Sequence, residues 1–186
     1  MRAICLRLLV FTCPVVLGYS EALAAAPQTF TLPDHGTLTL KLPDGWNAEL
    51  QHPNRLPVTL SLKPGQGAMF EVLITAVWQV SPTAGLTDEL TLRSEVAAAA
   101  KNAEPESVEG SLPLKELTGT EGRGFYFFAT DRAPKPGEYK YMTQGILRTG
   151  MIGLAFTVLT NDGQEAVRSA ALKVLQSAAH HPEGAL

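Results

Sequence analysis

Cysteine is scarce in this 186-residue chain: Cys5 and Cys13 are the two copies, and none follows them. Everything beyond residue 13 therefore lacks disulfides, thiol redox chemistry and thiolate metal sites. Charge is sparse as well, at 18%, and the net charge is −3. That balance argues against nucleic acid and anionic membrane as partners, since both draw basic faces. Long apolar runs are also missing. The stretch 8–18 is 11 residues long and contains Pro14, well short of the roughly 20 that a membrane helix needs. What is present is a 45% share of apolar residues, too high for a disordered chain. The length suits one domain with a core of its own.

Residues 1–24 read as an export signal. Arg2 and Arg7 form a short positive region, residues 8–18 an apolar stretch, and Ala22-Leu23-Ala24 a small-residue cleavage pattern. Cleavage after Ala24 removes both cysteines and leaves 13 basic and 17 acidic residues, a net charge of −4. Phe11 and Thr12 do not suit a lipid-anchoring signal at Cys13. A domain at 25–186 without disulfides and with no transmembrane segment is expected in a bacterial periplasm, or secreted.

From residue 28 the pattern is of strands. Residues 37–42 alternate, with Leu38, Leu40 and Leu42 on one face and Thr37, Thr39 and Lys41 on the other. Further strands are expected at 29–32, 46–51, 58–62 and 69–80, set apart by Pro- and Gly-rich turns. The last of these looks apolar on both faces, the mark of a strand covered on both sides. A helix follows, with Thr87 as its N-cap and a stop near 101–104 ahead of Pro105. Strands at 112–118, 124–130, 139–148 and 151–160 come next. A second helix over 163–179, capped by Asn161 or Asp162, carries Val167, Ala171, Val174 and Leu175 on one stripe. The tail from about residue 180 is expected to fray. Hairpin-length connections and doubly apolar strands predict an α+β fold, a three-layer α/β/α sandwich around a largely antiparallel central sheet.

Three segments resemble the PsbP-like fold. They are the turn Leu42-Pro43-Asp44-Gly45-Trp46, the strand Gly122-Arg123-Gly124-Phe125-Tyr126-Phe127, and the closing strand 154–160 with its helix. Members of that fold include extrinsic photosystem subunits, a Ran-binding nuclear-transport factor and DcrB-like bacterial envelope proteins. The resemblance implies a non-enzymatic accessory or binding protein, and it offers no catalytic motif to match.

The residues point the same way. There is no G-x-S-x-G elbow, Walker loop, H-E-x-x-H pair or dinucleotide-binding glycine fingerprint. His35 falls in a turn, His52 in a loop, and His180 and His181 in the tail, so none is placed as a base for a nucleophile. His180, His181 and Glu183 form a metal-like cluster, but a fraying tail lacks the rigidity that zinc ligands require. No catalytic, cofactor-binding or metal residue is expected. Trp46 and Trp78 read as core anchors.

The positive signal is the loop 131–138. Asp131, Arg132, Lys135 and Glu138 are charged, Pro134 and Pro136 stiffen it, and Tyr139 and Tyr141 follow. Arg with Tyr on a stiff loop is the chemistry of a protein interface. The expected function is an exported, non-enzymatic binding or accessory protein whose partner is another envelope protein. The alternative is an envelope small-ligand receptor or hydrolase with a pocket between sheet and helix, lined by Trp46 or the aromatic strand 125–128.

Overall fold

Alternating apolar residues make strands wherever one side of the chain can be buried, and most of the ten strands among the described residues follow that rule. The computed structural model describes residues 25–51, 57–78 and 88–183. The expected leader and its cleavage point, both cysteines, Thr87 and most of the loop at 51–57 lie outside them.

Strands β1 (Ala25–Leu32), β2 (Gly36–Pro43) and β10 (Ala179–His181) form a small sheet in the order β1-β2-β10. The main sheet contains β3 (Trp46–Gln51), β4 (Thr59–Pro64), β5 (Glu71–Val77), β6 (Lys115–Thr118), β7 (Arg123–Thr130), β8 (Tyr141–Thr149) and β9 (Ile152–Thr160). Its order is β3-β4-β5-β9-β8-β7-β6, and every pairing is antiparallel. Among the described residues there are two α-helices, α1 (Glu89–Ala103), which runs on into a 3-10 turn at Glu104–Glu106, and α2 (Glu165–Gln176).

The layers follow from which residues each face hides. Helix α1 sets Leu92, Val96 and Ala100 against Phe125, Phe127 and Ala129 of β7. On the other face, Ala171, Val174 and Leu175 of α2 join Leu38, Leu40 and Leu42 of β2 over Leu62, Val72, Ile74, Leu154 and Val158. The architecture is the expected α+β sandwich, with one refinement: its second outer layer is α2 together with the small sheet.

Several local expectations give way. The tail does not fray at 180, because Ala179, His180 and His181 pair with Thr39, Leu38 and Thr37. His180 is buried, its Nε2–H donating to the His35 carbonyl at 2.8 Å and its backbone N–H to Glu121 at 2.8 Å. This separates it from exposed His181, and no metal-holding cluster occurs among the described residues. Asp88 caps α1 by accepting from the Thr91 N–H. Gln164 holds the N-cap position of α2, and its Oε1 accepts from the Asn161 N–H at 2.8 Å. In β5, Val72, Ile74 and Ala76 are buried whereas Glu71, Leu73, Thr75 and Val77 are only partly so. The reason is that α1 packs on β7 and β8, leaving β5, on the far side of β9, half open on that face. No described helix is long and apolar enough to cross a membrane.

Candidate functional site

The loop between β7 and β8 is built from its own polar groups. The Asp131 N–H donates to the Lys140 carbonyl at 2.8 Å, closing the base of the loop. Asp131 Oδ1 then accepts from the Ala133 N–H at 2.8 Å, a local side-chain turn. At the tip, the Glu138 N–H donates to the Lys135 carbonyl at 3.0 Å. Pro136 and Gly137 occupy the two central positions, and Gly137 has φ +89°. Proline followed by a left-handed glycine is the signature of a type II turn. Glu138 Oε2 accepts from the Lys135 N–H at 2.9 Å, and the Lys135 ammonium lies 3.9 Å from Glu138 Oε1.

A second segment, 104–112, braces this loop from the side. Arg132 Nη2 donates to the Ser107 carbonyl at 2.8 Å, and its N–H donates to the Glu106 carbonyl at 3.0 Å. Ser107 and Asp131 also form an isolated bridge. Glu109 accepts from the Thr130 N–H at 3.0 Å and from its hydroxyl at 2.6 Å. Partial burial pushes the Glu109 carboxyl up, but those bonds outweigh it and hold the group below its ordinary value.

Tyr141 opens β8 and Tyr139 precedes it by two residues, and the two diverge. Tyr139 is half-buried; burial first, then the Glu71 carboxylate, raise its phenol above the ordinary range. The Tyr141 hydroxyl donates to Asp162 Oδ1 at 2.6 Å, and the Lys140 ammonium reaches both oxygens of Asp162 at 2.8 and 3.0 Å. Asp162 is consequently held below the usual carboxylate range. A small hollow of about 200 Å³ opens at the base of the loop between Ala103, Ser107, Tyr139 and Met142.

The five predicted loop residues are thus adjacent but not alike. Asp131 and Arg132 spend their polar groups on the scaffold, and Tyr139 is partly covered. Residues 132–138 are all exposed, but the Arg132 guanidinium is held by Ser107, so the groups left free to meet a partner are those of Ala133, Pro134, Lys135, Pro136, Gly137 and Glu138. Sequence reading missed Ser107 and Glu109, which brace the loop from more than twenty positions away, and no local pattern marks them.

The two tryptophans pack against the core. Trp46 lies 4.6 Å from the Phe70 ring, in an open cleft of about 690 Å³ beside the start of α2. Trp78 lies 3.9 Å from the His35 ring. In the aromatic strand, Phe125 and Phe127 fill the layer beneath α1. A different groove, about 510 Å³, runs between α1 and the open part of the sheet, floored by Leu73, Ile146 and Ala155. Thr59, Thr75, Gln144 and Thr157 line it with polar groups.

No protein-family model matches this chain, and no curated protein does. Several solved structures are similar to it, including two that overlap most of this chain. The solution structure of cyanobacterial PsbP (CyanoP) from Synechocystis sp. PCC 6803 has 12% identity and a TM-score of 0.58. The match covers 92% of this chain and 99% of that one. A crystal structure from Bacteroides thetaiotaomicron VPI-5482 has 15% identity and a TM-score of 0.51 over 79% of this chain. Only 46% of that longer chain is spanned. At these identities the likeness is one of architecture, and the chain has a PsbP-like fold.

Proposed function

We propose that this protein is an exported, non-enzymatic accessory or binding protein of the bacterial envelope, acting through protein contact. The observation that carries the reading is the 131–138 loop. Its tip is exposed throughout, yet a type II turn and the Arg132 clip to residues 106 and 107 hold it in shape. A loop ordered before binding loses little entropy when a partner covers it. Lys135 and Glu138 then act as adjacent charges of opposite sign at the rim, and Pro134 and Pro136 as stiff apolar contacts. The leader-like first 24 residues support the location, and the PsbP-like fold supports an accessory role.

The test is a photo-crosslinking residue placed at Pro136 in cells, with Ser169 on the outer side of α2 as the control position. One envelope protein joined at Pro136 and absent at Ser169 is the expected result. A folded protein that gives no adduct, or the same adducts at both positions, overturns the loop as a contact surface.

The groove beside α1 favours a second reading, a small-ligand receptor. Its volume of about 510 Å³ lies within the range of ligand sites, and it combines an apolar floor with hydroxyl and amide groups. Ligand-dependent stabilisation that a Gln144→Leu variant loses is the outcome that would select it.

A further inference from the structure

Three apolar residues from neighbouring strands lie side by side at the loop end of the main sheet. Register pairs Ala129 of β7 with Met142 of β8, and Met142 with Leu159 of β9. All three point to the face that carries α1, because Ala129 packs beneath that helix and cross-strand partners share a face. Helix α1 ends here at Ala103, and the chain turns away through Pro105, which cannot continue the helical ladder. Ala103 brings only a methyl group, so Met142 and Leu159 stay partly open while Ala129 is buried. The result is the hollow of about 200 Å³ at the base of the 131–138 loop, floored by that row and walled by Ala103, Glu106 and Tyr139.

Its size narrows the occupant. A cavity of roughly 150 Å³ takes one benzene ring, whereas sites for free small ligands span roughly 300–1,000 Å³. At about 200 Å³ the hollow has room for one leucine- or phenylalanine-sized side chain, presented by a chain that stays outside.

The charges around it narrow the partner. Glu106 and Asp131 line the hollow, and neither has an ion pair among the described residues. Lys140, the cation in the lining, is held by Asp162. Lys63, Lys101 and Lys135 are paired with Glu71, Glu104 and Glu138. Glu109 accepts from Thr130, and the Arg132 guanidinium donates to the Ser107 carbonyl. The carboxylates of Glu106, Glu109 and Asp131 against the guanidinium of Arg132 leave the rim net negative.

We infer that the partner which covers the 131–138 loop plants one large apolar side chain in this hollow, and that a lysine or arginine beside that side chain meets Glu106 and Asp131. An apolar anchor in a pocket ringed by polar groups is the usual layout of an interface hot spot. Opposite charge at the rim steers the approach and rejects acidic competitors. The inference rests on the loop reading, because the hollow opens at the base of the same loop and one partner surface covers both.

The experiment uses the full chain in cells with the photo-crosslinking residue at Pro136. Ala103→Leu fills the hollow from the helix side, and adduct yield is expected to fall about tenfold or more. Its melting temperature is expected to be no lower than wild type, since the added carbons enter apolar space. Ala99→Leu, one turn back on α1 and outside the hollow, is expected to leave the yield unchanged, and Glu106→Lys to lower it several-fold. A second measurement does not depend on Ala103→Leu folding. An aliphatic diazirine side chain in place of Met142 should join the same protein, at a stretch where a leucine, methionine or phenylalanine stands beside a lysine or arginine. Full yield at Pro136 in Ala103→Leu, no adduct at Met142, or an adduct there on a stretch without a basic residue overturns the anchor and leaves the loop reading in place. No adduct at Pro136 in the otherwise wild-type chain overturns the loop reading, and the anchor with it.

Discussion

The guanidinium of Arg132 donates to the carbonyl of Ser107 at 2.8 Å, joining the β7–β8 loop to a segment 25 positions earlier in the chain. An exposed arginine on a loop suggests a hand held out to a partner. Here it is the clip that keeps the rest of the loop in shape.

Arg132→Ala is therefore expected to loosen the loop more than to remove a contact. The loss is about 1 kcal/mol, below the usual value for a bond to a charged donor, because the site is exposed. Hydrogen exchange checks it: the amides of Arg132 and Val108, bonded to Glu106 and Thr130, should exchange faster while those of β5 stay protected.

Thr130 and Glu109 give a pH-dependent prediction. Thr130→Val removes the 2.6 Å donor to Glu109 and is expected to cost up to about 1 kcal/mol at pH 7. The folded-state carboxyl titrates below its ordinary value of 4.5. The stabilisation is thus present above pH 4.5 and disappears as pH falls through the lowered folded value. Urea melts of both proteins between pH 7 and pH 3 should converge at the acid end.

Gly145 lies where strands β7, β8 and β9 press together. A Cβ there would strike the Phe125 carbonyl and come within 2.6 Å of Tyr126 Cβ and 2.8 Å of the Phe156 ring. Gly145→Ala is expected to destabilise by about 3 kcal/mol, the cost of overpacking a closed core. A melting temperature within a few degrees of wild type would contradict the packing described.

His180→Ala tests the last strand. It deletes the bond to the His35 carbonyl and empties the space beside Gly150, whose Cβ position lies 3.1 Å from His180 Nδ1. A loss of about 2 kcal/mol is expected. Limited proteolysis should then release the C-terminal residues first, whereas a frayed tail would be cut equally in both proteins.

Much of this fold was legible along the chain. Leu38, Leu40 and Leu42 alternate in the sequence and are all buried in the structure, because a strand repeats every two residues whatever it pairs with. The stripe Ala171, Val174 and Leu175 announces α2 for the same reason at helical period. The tail misled because three residues are too few to show a period. Its polar His180 reads as exposed until the His35 carbonyl is seen to receive it.

The candidate sites divide along the same line. The 131–138 loop stands out by its charges and prolines, and Pro136-Gly137 encodes its turn locally. Its bracing by Ser107 and Glu109 was invisible, since neither lies near it in sequence. Periodicity and turn chemistry, which act between neighbours in the chain, determined the elements and their buried faces. Pairing and layer coverage depend on the summed burial of distant segments, so tertiary structure alone decided which sheet face stays open and which charges meet.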